Sequence, residues 1–120
     1  MRSTEGTVMV LARGALADDR AALALRVALA LPLGCPSVVL ALVGPAAALA
    51  VPGAAPGGRA TQVARELAAL VDDEEVPVLV EQESLVAMGL EDSGLHPGVS
   101  QIARWEIHRA CLEARSCIVI

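Results

Sequence analysis

Apolar residues come along this chain in two kinds of run, and the two kinds alternate. Thr7 to Ala12 (TVMVLA), Ser37 to Val43 (SVVLALV) and Val76 to Val80 (VPVLV) are nearly unbroken and rich in β-branched side chains, as in strands covered on both faces. Between them the spacing is helical. Asp18 is a good N-cap for a helix over Asp19 to Leu31, which Pro32 and Gly34 stop. Ala60 to Val71 sets Val63, Leu67, Leu70 and Val71 on one side and Gln62, Arg65 and Glu66 on the other, with Asp73 just beyond.

The remaining segments are shorter. Ala46 to Val51 predicts a turn of helix after Gly44-Pro45, and PGAAPGG a flexible connection. Asp72 to Glu75 reads as a solvated helix terminus. Ser84 to Gly89 predicts a short helix, Gly98 to Ser100 a fourth strand, Gln101 to Ala114 the last helix and Cys117 to Ile120 a final strand. Strand and helix in turn predict a three-layer α/β/α sandwich around a mostly parallel sheet of about five strands. Residues 1–120 suit one domain with one continuous core.

Composition narrows the function classes. The chain is 55% hydrophobic and 19% charged, a globular balance, but it has no Phe or Tyr and a single Trp. Bases would find no aromatic platform, and a net charge of -5 repels a phosphate backbone, so nucleic acid is a poor partner. Val27 to Val51 carries no charge, yet Pro32, Gly34, Pro36, Gly44 and Pro45 cut it into pieces shorter than the roughly 20 residues of a membrane span. The run Val8 to Ala12, closed by Arg13, is too short for a signal peptide. Cys35, Cys111 and Cys117 are odd in number and lack CxxC spacing, which suits a reduced, cytoplasmic protein.

Two helices carry more apolar surface than one sheet can cover. In the first, Leu23, Val27, Ala30 and Leu31 form a stripe while Leu25 and Leu29 lie towards the other side. In the last, Ala103, Ile107, Ala110, Cys111 and Ala114 form one stripe and Ile102, Trp105 and Leu112 a second. With the Ala-rich stripe on the sheet, Trp105, Ile102, Leu112, Leu25 and Leu29 are the expected subunit contacts of a homo-oligomer.

Candidate chemistry gathers where strands end, since ligands of such sheets sit beyond the carboxyl ends of the strands. The residues there are Arg13, Gly14, Gly44 and the run Glu81-Gln82-Glu83-Ser84. One reading is a small polar pocket lined by Arg13, Gly14, Gly44, Glu81, Gln82 and Ser84. The plainer reading makes Glu81 and Glu83 exposed carboxylates at a helix start, worth about 0.3–1 kcal/mol each and dispensable for folding. Other signals are weaker. His108 and Cys111 share a helix face, but a closed zinc site needs four ligands and His96 is the only other histidine, so no metal or other cofactor is expected. PGAAPGGR has neither phosphate-loop order, and Ser84 lacks the GxSxG setting of a hydrolase. Cys117 falls in a predicted core strand, leaving Cys35, in its Pro-bounded loop, as the one thiol placed to react, and the plainer reading gives it a structural or incidental role too.

The segments "ADDRAALALRVALAL", "LVGPAAALAV", "VPVLVEQESLVAMGL" and "PGVSQIARWEIHRACLEARSCIVI", in this order, resemble the DsrE/DsrF/DsrH family of small sulfur-relay proteins, which includes the Tus subunits of tRNA thiolation. The likeness spans nearly the whole chain, its best points being the acidic start of the first helix, Gly44 with its Ala-rich turn, and Met88-Gly89-Leu90 where the family commonly has Arg-Gly-Leu. It implies a trimeric or hexameric assembly, alone or with related subunits, and sulfur handling. In sulfur-carrying members a persulfide cysteine ends the third strand; here that place falls at Glu81 or Gln82. A carboxylate cannot accept sulfane sulfur as a thiolate does. The resemblance therefore implies a non-catalytic or accessory subunit. The alternative is a small-molecule-binding domain or enzyme using the Arg13, Glu81 and Ser84 corner.

Overall fold

The computed structural model describes residues 7–14, 19–31, 37–52, 54, 58–73 and 75–120. Asp18, Pro32, Gly34, Cys35, Pro36 and most of the PGAAPGG segment, on which expectations were placed above, lie outside them. Among the described residues there are five strands, β1 (Thr7–Ala12), β2 (Ser37–Leu42), β3 (Val78–Glu81), β4 (Val99–Ile102) and β5 (Ser116–Val119). The same residues form four α-helices, α1 (Asp19–Ala30), α2 (Gly58–Asp72), α3 (Gln82–Ala87) and α4 (Arg104–Glu113), and a 3-10 helix over Gly44–Ala50. The strands lie in the order β4-β3-β2-β1-β5, and every neighbouring pair is parallel.

That order dictates the layers. From β1 to β4 each crossover steps the same way along the sheet, and the right-handed rule puts α1, α2 and α3 on one face. The step from β4 back to β5 runs the other way, which sends α4 to the opposite face. The cores agree. Val10, Leu40, Leu42, Val78 and Val80 point into a large core with Ala24, Leu25, Ala28, Val63, Leu67, Leu70 and Leu85. The alternate strand positions Met9 and Ala41 meet Ile107 of α4 in a small one.

The 3-10 helix is buried from Ala46 through Ala50, where small side chains let it lie close against its neighbours, and Pro45 in its first turn is exposed. Gly44, at the end of β2, takes φ +57, a left-handed turn that glycine adopts without Cβ strain. Gly98 has φ +96, and a Cβ there would sit 2.6 Å from Val71 Cγ1. Glycine thus lets the loop before β4 close onto α2.

Several expectations need correction. The buried stripe of α1 is Ala24, Leu25 and Ala28, whereas Leu23 and Ala30 are exposed; Leu25 lies in the large core and is no surface contact. Ile102 belongs to β4, not to the last helix, which starts at Arg104; it packs half-buried against the small core. Cys117 is exposed on the edge strand β5 rather than buried. Leu29, Trp105 and Leu112 are exposed as expected, Trp105 at 62% and Leu112 at 73%.

Candidate functional site

Strand β3 passes into α3 without a loop, so Glu81 is at once the last strand residue and the N-cap of the helix, at φ -74 and ψ 119. In register with Ile102, its side chain lies on the α4 face. One turn later Ser84 comes back beside it. Ser84 Oγ donates a close hydrogen bond to Glu81 Oε1 and accepts one from the Gly44 N–H at 2.8 Å. The left-handed turn at Gly44 thus turns its N–H from the end of β2 to the end of β3.

Arg104, the first residue of α4, closes the cluster. Its Nε donates to Glu81 Oε2 at 3.0 Å and its Nη2 to Glu81 Oε1 at 3.2 Å, a two-pronged grip on the carboxylate. Ala103, the N-cap of α4, has no side-chain oxygen to cap the helix, and Glu83 Oε1 accepts the Arg104 N–H at 2.8 Å instead. The corner is therefore a buried network at Glu81, which is only 6% exposed, so the expectation of an exposed carboxylate fails at that residue. Glu83 is exposed but bonded across to α4.

The charges follow from these contacts. Burial pushes the Glu81 carboxyl up, but the bonds from Arg104 and Ser84 and the nearby guanidinium charge outweigh it, leaving the group below its ordinary value. Arg104 is raised in turn by its bond to Glu81. Glu81 is ionised at neutral pH with both oxygens engaged. The Ser84 hydroxyl proton and the Gly44 N–H are both used, so neither offers a ligand a free donor.

Of the residues read from the sequence, the structure brings together Gly44, Glu81 and Ser84. Gln82 is exposed, and Arg13, also exposed, uses its backbone N–H on the Ile120 carbonyl at 3.1 Å; Gly14 follows it, half-buried, at the end of β1. Arg104 was missed. Its one signal is that a cation in the first turn of a helix opposes the helix dipole and asks for a compensating acid.

Beside the network, on the α4 face, is a cavity of about 220 Å3 whose walls include Leu11, Val43, Glu81, Arg104, His108, Cys111 and Cys117. A larger cleft of about 350 Å3 lies between α1 and α2, among Leu25, Leu29, Leu70, Arg26, Glu66 and Asp73. No Cys, Ser, Thr, Lys or His is among the described residues that line it. Among the described residues no three His, Cys, Asp or Glu side chains are placed to hold a metal ion, and no helix is long and apolar enough to cross a membrane.

No protein-family model and no curated protein matches the sequence. Among solved structures, the YchN protein of E. coli superposes with a TM-score of 0.76, covering 95% of this chain and 98% of its own, at 22% identity. The chain has the DsrE-like fold. At that identity the likeness is one of architecture: a five-stranded parallel sheet with helices on both sides. Within the DsrE-like frame the end of β3 is occupied here by a carboxylate held by a guanidinium.

Proposed function

We propose that this chain is a non-catalytic, accessory DsrE-like subunit that works as a homo-oligomer, trimeric or hexameric, in a sulfur-handling assembly. The observation that carries the reading is the Glu81–Ser84–Arg104 network. Where the family resemblance implies a persulfide cysteine, the strand ends in a buried carboxylate whose two oxygens both accept hydrogen bonds from within the protein. Such a cluster fixes β3, α3 and α4 relative to one another and leaves no nucleophile at that point. These internal bonds and the burial of both residues weigh against the alternative of ligand binding through Glu81 and Ser84.

Support for assembly comes from the α4 side. Trp105 and Leu112 stand in water there, and a ten-residue helix is all that covers a five-stranded sheet on that face among the described residues. Large aromatic side chains are enriched at the centres of subunit contacts.

Incubating the reduced protein with a persulfide donor, followed by intact-mass analysis and peptide mapping, tests the first part. The expected outcome is no stable, transferable sulfur on any cysteine. Stoichiometric sulfur that can be passed on to an acceptor overturns it. Light scattering at micromolar concentration tests assembly: the wild type should be oligomeric, and Trp105→Ala should dissociate it with its circular dichroism preserved. A wild-type monomer with freely quenched Trp emission refutes that half.

A further inference from the structure

Cys111 and Cys117 are separated by the turn that leads from α4 into β5, and the fold brings them back together. Cys117 stands on β5 directly beside Met9 of β1. Cys111, in the last turn of α4, packs half-buried on the small core that Met9 anchors. Both thiols line the cavity of about 220 Å3 on the α4 face, Cys117 near enough to Cys111 to push the Cys111 thiol up. Two thiols facing one cavity are a chemical unit that neither is alone.

We propose that Cys117 and Cys111 form a dithiol site for thiol–disulfide exchange with a small disulfide, with Cys117 as the attacking thiol and Cys111 as the resolving one. Exposure assigns the roles: Cys117 is open to solvent on an edge strand, and Cys111 is half-buried behind it. The thiol of Cys111 is pushed up to about 12 by burial, then by the neighbouring Cys117, so it keeps its proton until its neighbour has reacted.

The electrons balance without metal or cofactor. The Cys117 thiolate attacks one sulfur of the small disulfide, whose S–S bond breaks and releases one small thiolate, leaving a mixed disulfide on Cys117. With the Cys117 charge gone, Cys111 gives its proton to that departing thiolate and attacks the Cys117 sulfur. The second small thiol then leaves. Two protein thiols are oxidised, one small disulfide is reduced to two thiols, and α4 is tied to β5 by the new bond.

The site also constrains sulfur chemistry. A persulfide formed on Cys117 would have the Cys111 thiol at its inner sulfur, and attack there would expel sulfide and leave the same protein disulfide. A carrier needs its sulfur to persist; this geometry discharges it.

The test uses the full chain with Cys35→Ser, which leaves the pair intact. After reduction, the protein is exposed to glutathione disulfide, quenched with acid and alkylated. The expected products are loss of both remaining thiols and a peptide linking Cys111 to Cys117. Adding Cys111→Ser should trap glutathione on Cys117, and adding Cys117→Ser instead should slow thiol loss by more than about tenfold. Circular dichroism of each variant confirms that it is folded. Retention of both thiols in the folded Cys35→Ser protein overturns the proposal, as does equal reactivity of the two single-thiol variants. Linkage only between different chains also overturns it.

Discussion

The two faces of the sheet are built to different standards. On the face covered by α1, α2, α3 and the 3-10 helix, the strand residues Val10, Leu40, Leu42 and Val80 are sealed from water. On the α4 face, their neighbours Leu11, Val39, Val43 and Leu79 are only half-buried around Met9, Ala41 and Ile107. The strands are the same, so strand propensity cannot explain the difference. The crossover pattern explains it: three connections step one way and one returns, so one face receives most of the helices. The thick face holds the fold, and the thin face holds the polar corner, the dithiol and the exposed Trp105.

Paired substitutions at adjacent strand positions test this contrast most directly. Leu40→Ala opens a cavity in the thick face and should cost about 3–5 kcal/mol in urea denaturation. Leu79→Ala on the thin face should cost about 1–2 kcal/mol, since less apolar area is lost from burial. Equal costs would mean that the thin face is covered in solution, and a concentration dependence of the Leu79→Ala cost would identify a second copy as the cover. Next comes Gly98→Ala, which meets both the positive φ and Val71 Cγ1 and should cost about 1–3 kcal/mol. On the other face Leu112→Ala, in open solvent, should stay within about 0.5 kcal/mol if the chain is monomeric under the conditions used.

The polar corner supplies the remaining test. Glu81→Gln keeps the shape but removes the charge that Arg104 grips, and should cost about 1–2 kcal/mol at neutral pH. Its sign with pH is fixed. Because the folded carboxyl lies below its ordinary value of 4.5, the stability it adds is fully present above that value and is lost as the pH falls through the lower folded one. Acid titration of unfolding should therefore show a steeper loss of stability below about pH 4.5 in the wild type than in Glu81→Gln. Parallel curves would show that Glu81 gains nothing from its partners.

Much of the thick face was legible because local patterns decided it. Val63, Leu67 and Leu70 announce the buried side of α2, and "SVVLALV" announces a strand covered twice. In α1 the pattern misled, since Ala and Leu surround the helix and only packing selects Ala24, Leu25 and Ala28 as the inner stripe. The corner was half legible. Glu81, Ser84 and Gly44 are marked by ending strands, a local property. Arg104 reaches Glu81 from a separate helix, and no spacing encodes a meeting across the sheet's end. The dithiol failed to show for the same reason. Cys117 alternates like a core residue, but its strand lies at the edge, and strand order was not in the pattern.

The position of β1 has a consequence for how the molecule is made. It is hydrogen-bonded on one side to β2, a close neighbour in sequence, and on the other to β5, which follows the other four described strands in chain order. Until β5 exists, an apolar strand bearing Met9 and Val10 must wait with one row of backbone groups open, a standing invitation to pair with another chain. Long-range parallel pairing is also slow to form, since much of the chain must be brought round before the contact is rewarded. The growing protein is therefore most exposed to aggregation just before β5 is complete, and a chain halted there would carry its central strand as an edge.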